Sequence, residues 1–441
     1  MTNHSHPIVK QREAWAGVGL STAIAVWCEK KQKRTPAPAR GKLTVFSQLC
    51  NLVPGHMVAK LARKHGIDSM VRRFSAWSHV VALLFAQLTH AIGLNDTCDA
   101  LRHHCGLLAR IRGATFPSRN NLSHANKNRS AAMARDLFWD VLNHLGRICP
   151  AFGSQRRFKG LPGRFKRAIH LVDSTTIKLI VSCIDWARHR RRKAAVKCHL
   201  RMGLQDMLPR FVIIDSAAEN DTRRARELCA GVQEGEIVVF DRGYLDFEHL
   251  HDLTRRGVNW VTRTKSNRQL RVVKKHARKG NILRDDTVVL AKGNARKKHP
   301  GRLRRILALV EVDGKLREME FLTNNHDWSA ARVCDLYKSR WQIEVFFKQI
   351  KQTLQLEDFM GNSANAVRWQ VWTALLMYVL LRFEAFLSGW DKSFTRLFTL
   401  LRGVLWDRFD VGELLRFYGR AGGRWRMRAE PRQLYLPGMS P

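Results

Sequence analysis

The chain has 441 residues, 45% of them hydrophobic, which is enough for two or three packed units and excludes a single small core. Its 77 Lys and Arg outnumber 37 Asp and Glu, and the net charge of +40 favours a polyanionic partner. A ribosomal or nucleoid protein without chemistry would explain that charge equally well. Nine cysteines without a C-x-x-C pair argue against a disulfide framework and favour a reducing cytoplasm.

The first part of the chain is predicted to be helical. Residues 1–40, which end in basic residues, prolines and alanines, are expected to be a disordered or mis-called extension. The apolar period over 41–152 predicts an all-helical N-terminal domain. Polar and basic side chains crowd residues 119–129 and suit phosphate and base-edge contacts, although a solvated helix face has the same composition. Residues 153–167 form a basic linker.

The pattern then changes to short apolar and β-branched runs, which predicts a mixed α/β core whose first part spans residues 168–264. The first three strands should form an antiparallel meander, and the later ones βα crossovers. The predicted strands are 168–179, 196–204, 209–217, 236–241 and 258–264, with helices at 219–230 and 246–256.

Two aspartates stand where this core should be buried. Asp173 interrupts a β-branched run, and Asp241 ends another one just before Gly243, where the chain can turn sharply. Burying a lone carboxylate costs several kcal/mol unless a partner or a metal offsets it. Each aspartate also has a plainer explanation, because Asp173 and Asp241 are both placed to cap a turn.

Short alternating strands, broken by glycines and basic runs, follow in residues 265–329. This pattern predicts a β-rich insertion into the core. Its basic residues are predicted to follow DNA phosphates, with a solvated loop as the alternative. They are Lys292, Arg296, Lys297, Lys298, Arg302, Arg304 and Arg305.

A polar stripe marks the next helix. Tyr337, Arg340, Glu344 and Lys351 stand at relative positions 0, 3, 7 and 14, so in a continuous helix they project within an arc of about 60°. A solvated amphipathic helix would also carry such residues. Together with the two aspartates, however, Glu344 completes a set of carboxylates able to hold two magnesium ions about 4 Å apart.

The rest of the chain is predicted to be helical as well. Residues 330–390 form the second part of the core, and 391–441 a helical and basic C-terminal region. The apolar stretch Val371 to Leu381 is about half of the roughly 20 residues that a membrane span requires, which predicts a core helix and no membrane partner.

These residues resemble a known family, the DDE transposases of bacterial insertion sequences, in the group marked by Tyr, Arg, Glu and Lys at this spacing. Asp-Ser-Thr-Thr at Asp173 and Asp-Arg-Gly-Tyr at Asp241 match the same group. Phe46-Ser-Gln-Leu and Leu84-Phe-Ala-Gln-Leu-Thr resemble the helical N-terminal region of one of its branches. The resemblance covers the chain from about residue 41 onward.

The resemblance implies a ribonuclease-H-like mixed-sheet catalytic core, interrupted by a β-rich insertion and preceded by an all-helical domain. It implies a transposase that binds the terminal inverted repeats of its element, cleaves the ends and joins them to target DNA by metal-dependent phosphoryl transfer. Asp173, Asp241 and Glu344 would bind two magnesium ions, which manganese can replace. Tyr337 and two basic residues would contact the DNA end; these two are Arg340 and Lys351.

The partners expected from the resemblance are double-stranded DNA, as element ends and as target, and a second subunit in a homodimer. The expected location is the bacterial cytoplasm, in association with the nucleoid. Trp341, beside the stripe, is predicted to stack on an unpaired base, although interior packing is the commoner role of a Trp. Two alternatives stay open: a catalytically inactive or domesticated DNA-binding protein, and a ribonuclease-H-fold nuclease without strand transfer.

Overall fold

The structure is a computed structural model. Two predicted segments lie almost wholly outside the part that it describes, namely the extension 1–40 and the basic end of the C-terminal region, and so do most of the linker 153–167 and Lys292. The described residues are 38–67, 74–91, 93–154, 165–179, 188–190, 193–216, 221–264, 270–291, 293–312, 314–354 and 361–419.

The N-terminal part is helical, and serines and threonines begin several of its helices. The Ser75 and Ser118 side chains accept hydrogen bonds from backbone N–H groups of the first turn, which satisfies donors that a helix start leaves free. Ser130 likewise caps the helix that follows it, through the backbone N–H of Ala132. The helices are α1 (Val45–Asn51), α2 (Gly55–Lys64), α3 (Ala76–Thr89), α4 (Leu94–His103), α5 (Cys105–Ala109), α6 (Arg119–Asn128), α7 (Ala131–Ile148) and α8 (Pro150–Ser154).

One long helix, α14 (Ala364–Leu387), is the centre of the helical layer. Helices α3, α6 and α7 pack on it, and their apolar side chains join one core that continues into the sheet and the C-terminal helices. By length and composition α14 would be able to cross a membrane, but 83% of its apolar window is buried inside the protein. Its composition is therefore that of a core helix, as predicted.

The described strands form one ten-stranded mixed sheet in the order β2-β3-β1-β5-β6-β10-β9-β8-β7, with β4 paired to β3. The predicted meander is present, since β1 is antiparallel to β3 and β3 to β4; the crossover strands β5 and β6 are parallel to β1 and to each other. The strands are β1 (Ile169–Leu179), β2 (Arg188–Arg190), β3 (Lys193–Gly203), β4 (Pro209–Ser216), β5 (Ile237–Phe240), β6 (Asn259–Arg263), β7 (Leu270–Lys275), β8 (Ile282–Leu290), β9 (Leu303–Val312) and β10 (Lys315–Thr323).

The strands predicted as an insertion extend this same sheet. The pairing of β10 with β6 joins them, with Phe321 opposite Arg263, and β9, β8 and β7 follow outward. The edge strand β7 was not predicted; most of its side chains are exposed. Three short helices lie beside the sheet: α9 (Asp221–Leu228), α10 (Phe247–Arg255) and α11 (Gly293–Lys298).

Two arginines of β9 are not on the surface, so the prediction that they follow DNA phosphates was wrong. Arg304 forms two hydrogen bonds of 2.8 and 2.7 Å with the Asp285 carboxylate, and Arg305 lies 2.6 Å from Asp286. Arg304 also donates to the carbonyl oxygens of His326 and Trp328, just before the next helix. Both arginines therefore serve packing, because a buried charge needs such partners.

The remaining helices follow the sheet. They are α12 (Ala330–Lys338), α13 (Trp341–Lys348), a π-helical turn (Gln349–Thr353), α14, α15 (Phe394–Gly403) and α16 (Val411–Gly419).

Glu384 in α14 is a buried carboxyl whose ionisation should affect the stability of the core. Burial, together with nearby Asp410, raises the pKa of its carboxyl from 4.5 to about 7. Its favourable contribution is therefore complete below pH 4.5 and is lost as the pH rises through 7. Glu384→Gln removes the ionisation, so at pH 8 the free energy of unfolding should rise by about 3 kcal/mol. Urea denaturation at pH 8 and pH 4.5 checks this; an equal effect at both would contradict it.

Candidate active site

The two aspartates meet where the parallel pairing of β1 with β5 ends. Val172 of β1 is in register with Phe240 of β5, so the next residues, Asp173 and Asp241, lie side by side. Asp173 remains within the ladder, opposite Leu200 of β3. Asp241 ends its strand, and its carboxylate accepts a hydrogen bond of 3.2 Å from the backbone N–H of Gly243. Asp241 therefore also caps the turn, which was the alternative role that the sequence allowed for it.

The helix that brings the third carboxylate is not continuous, so the expectation of one straight helix was wrong. Helix α12 ends at Lys338 and α13 begins at Trp341. Between them the Ser339 hydroxyl donates to the carbonyl oxygen of Leu336 at 2.5 Å, a local bond that competes with the helix pattern. Lys351 lies beyond α13 in the π-helical turn, a rare form that is frequent at functional sites.

Despite the break, Arg340 and Glu344 face both aspartates. The Arg340 guanidinium lies between the three carboxylates: Nη1 is 2.7 Å from Asp173 Oδ2, Nη2 is 2.5 Å from Glu344 Oε1, and Nε is 4.0 Å from Asp241 Oδ1. Only 14% of the arginine side chain is exposed. One protein cation therefore stands at the centre of the acidic cluster.

The electrostatics reflect this crowding. Burial raises the pKa of the Asp173 carboxyl to about 6; Arg340 and the Ser174 N–H oppose the rise, and Asp241 and Glu344 add to it. Burial alone would lower the pKa of the Arg340 guanidinium, but Tyr337 and the three carboxylates outweigh burial and raise it. The cluster holds more negative charge than one guanidinium neutralises, and this favours further cations.

Tyr337 is a buried neighbour of this cluster. Its hydroxyl lies 3.5 Å from Asp241 Oδ1, and its ring packs against Phe321. Burial raises the pKa of the Tyr337 hydroxyl to about 12, so the phenol stays protonated at neutral pH. A protonated phenol suits hydrogen bonding rather than nucleophilic attack.

An open pocket of about 540 Å³ lies over the carboxylates. Lys351 lines it as predicted, and so do two residues that sequence reasoning missed, Lys348 and Gln352. The signal for Lys348 was present, because it follows Glu344 by one helical turn. Trp341 is 60% exposed, which rules out interior packing.

The donor set fits divalent cations. Three carboxylates supply the hard oxygen ligands that magnesium and manganese prefer, and a cationic group already occupies the space between them. As placed around Arg340, however, they do not yet converge: within the described residues no three His, Cys, Asp or Glu side chains are spaced to hold one ion.

The family description "Transposase DDE domain" matches residues 164–380, and residues 41–111 match a domain of unknown function. The fold and this match define the class of protein as a DDE transposase. A transposase of Sinorhizobium fredii is 31% identical over 77% of this chain and 93% of its own length. The chain belongs to the DDE transposases.

Two further similar proteins are also named as transposases of insertion sequences. The transposase of insertion sequence IS5377 from Geobacillus stearothermophilus is 28% identical over 56% of this chain and 64% of its own. The transposase InsG of insertion sequence IS4 from Escherichia coli is 24% identical over 43% of this chain and 44% of its own. A solved structure, the piggyBac transposase synaptic complex with hairpin DNA, aligns with a TM-score of 0.41 and 10% identity over 83% of this chain and 82% of that one.

The chain is therefore a transposase, an enzyme whose partner is DNA, and the domain that it carries depends on divalent metal ions. Its mixed sheet with flanking helices fits a ribonuclease-H-like core.

Proposed function

We propose that this transposase binds the terminal inverted repeats of its insertion sequence, cleaves the element ends and joins them to target DNA. The observation that supports this most directly is that Asp173, Asp241 and Glu344 surround the Arg340 guanidinium. They lie in an open pocket, as access of DNA to the carboxylates requires. Neither a pure DNA-binding surface nor a solvated helix needs three carboxylates in such contact.

Asp173, Asp241 and Glu344 would hold two magnesium ions, with manganese as a substitute. Bound there, the ions would activate a water or a DNA 3′ hydroxyl and stabilise the leaving oxygen of an in-line displacement. The residues contribute fixed oxygen ligands: β1 fixes Asp173 in its ladder, and the turn at Gly243 fixes Asp241. Helix α13 supplies Glu344 as the third ligand.

The other polar groups of the stripe would hold the DNA end. Arg340 and Lys351 supply positive charge at the pocket, and the protonated Tyr337 hydroxyl supplies a donor for a phosphate oxygen. The exposed Trp341 ring lies at the start of α13, beside Arg340, and is available to stack on an unpaired base.

The N-terminal helices would read the inverted repeats. Most of the polar residues on α6 are exposed, as this role requires, but Asn126 and Arg129 serve packing. Asn126 lies 2.8 Å from the His79 ring, and Arg129 donates to the carbonyl oxygens of Phe74 and Ser75. We expect two subunits to act together on two ends, in the bacterial cytoplasm and in association with the nucleoid.

A DNA assay tests this function. The DNA that flanks the reading frame, labelled at the element ends, is incubated with the purified protein, magnesium and a second DNA. We expect cleavage at the ends followed by joining to the second DNA. Cutting without joining would instead indicate a nuclease, and binding without cutting, in magnesium and manganese alike, would indicate an inactive DNA-binding protein.

A further inference from the structure

Gln87 and His90, at the end of helix α3 in the N-terminal region, contact the end of the π-helical turn that follows α13. The Gln87 side-chain amide donates to the carbonyl oxygen of Leu354, and His90 Nε2 lies 2.7 Å from the carbonyl oxygen of Thr353. These two carbonyls come two and three residues after Lys351, at the end of the π-helical turn. The N-terminal region and the pocket-lining lysine are thus linked through adjacent backbone groups.

Such contacts matter because the last carbonyl groups of a helix have no partners within it. The turn is closed from inside by the Leu354 N–H, which donates to the carbonyl oxygen of Gln349 at 3.0 Å. The carbonyl oxygens of Thr353 and Leu354 have donors from outside the turn, which are His90 and Gln87. On the other side, the hydroxyls of Thr353 and of Thr395 in α15 lie 3.2 Å apart. The position of the turn therefore depends on groups from both ends of the chain.

The backbone of His90 supports a specific role. The residue ends α3 in the left-handed conformation, with φ 57° and ψ 43°, a conformation that His, Asn, Asp and Gly adopt more often than other residues do. Its ring stacks on Phe398 with centroids 4.9 Å apart. Its Nδ1 lies 2.8 Å from Arg402 Nη1, and because arginine only donates, Nδ1 accepts and Nε2 carries the proton given to Thr353.

Gln87 belongs to the motif Leu84-Phe-Ala-Gln-Leu-Thr, and its side chain is nearly fully buried. A buried amide without partners costs free energy, so this glutamine is specified by its contact rather than by packing. Both residues lie in the stretch 41–111 that matches a domain of unknown function.

We propose that Gln87 and His90 are positioning residues, which hold the π-helical turn so that Lys351 faces the carboxylate pocket. They touch neither DNA nor the reacting atoms. The proposal rests on the proposed role of Lys351 at the DNA end. It assigns part of the N-terminal region a task in catalysis that is separate from reading the repeats.

A double-mutant cycle tests this proposal, with single-turnover cleavage of labelled end DNA as the readout. Gln87→Met removes the donor at similar size, and Lys351→Ala removes the amine. We expect Gln87→Met to slow cleavage about tenfold or more, because small misplacements at a site are costly, with DNA binding unchanged. In the Lys351→Ala background the same substitution should have almost no further effect.

A matched control is Gln48→Met. Gln48 also anchors a helix through its amide, to the carbonyl oxygen of Phe409 at 2.7 Å and the N–H of Val411 at 3.1 Å, but it does not contact the turn. Any effect of Gln48→Met on cleavage should multiply with that of Lys351→Ala. Melting temperatures of all variants show whether they are folded.

His90→Asn keeps the proposal testable if Gln87→Met unfolds. Asparagine tolerates the left-handed conformation, but its shorter side chain loses the Thr353 contact. We expect a folded protein with slow cleavage. Effects of Gln87→Met and Lys351→Ala that simply multiply, or wild-type cleavage by folded His90→Asn, would overturn the proposal. A wild-type rate for Lys351→Ala would instead refute the role of Lys351 on which it rests.

Discussion

Glu344→Gln is expected to slow end cleavage by about 10³-fold or more while DNA binding is retained. The substitution keeps the size of the side chain and removes the charge that faces Asp173 and Asp241 across the Arg340 guanidinium. Metal ions stabilise charge in phosphoryl transfer by several kcal/mol, and each ~1.4 kcal/mol changes a rate tenfold. Loss of one of the three proposed ligands should therefore remove most of the catalysis.

The measurement is single-turnover cleavage of end-labelled DNA, with binding followed separately by fluorescence anisotropy. Glu413→Gln is the matched control, because Glu413 also pairs with an arginine of its own helix, Arg416, yet is exposed on α16 and remote from the site. The control should cleave normally. A Glu344→Gln protein that cleaves within a few fold of the wild type would rule out this carboxylate as a metal ligand.

Arg340→Met should have opposite effects on metal binding and on cleavage. The guanidinium occupies the space between the carboxylates, so its removal should strengthen binding of manganese or calcium in the absence of DNA. We expect a gain of about tenfold, the equivalent of ~1.4 kcal/mol for one lost competing ion pair. Cleavage should nevertheless fall, because the same arginine is proposed to hold a phosphate of the DNA end.

Calorimetric titration with each ion, without DNA, measures the first effect. Arg224→Met is the matched control: Arg224 also joins two carboxylates, Asp215 and Glu227, each at 2.6 Å, but it lies outside the pocket. Its removal should leave the affinity at the active site unchanged. Unaltered metal affinity in Arg340→Met would show that the arginine leaves the carboxylates at no cost.

Much of the sheet was predictable because its strands carry local signals. Runs such as Ile237–Phe240 are continuously apolar and β-branched, and they end at turn residues. Strand β7 was missed because its valines and lysines are mostly exposed, so the alternation that marks a half-buried strand is absent. The joining of β10 to β6 was also not visible, since strand pairing is a long-range property.

The meeting of Asp173, Asp241 and Glu344 was predictable, since a charge in an apolar run marks each aspartate and the polar stripe of the next helix marks Glu344. The position of the Arg340 guanidinium between them was not, because it depends on contacts with carboxylates that are distant in sequence. Arg304 was predicted to be exposed to DNA, but in the structure it is buried. It stands in a basic segment that reads as surface, and only the fold reveals its partner Asp285.

The packing of the N-terminal helices on α14 has a consequence for how such enzymes diversify. Because α3, α6 and α7 share one apolar core with α14, removing residues 41–152 would uncover apolar side chains along much of that helix. The N-terminal helices are therefore not an independent module that relatives can exchange without uncovering the core. If these helices read the repeats as proposed, a change of repeat preference is more accessible through substitutions on exposed faces, such as that of α6, than through transplantation of the whole region.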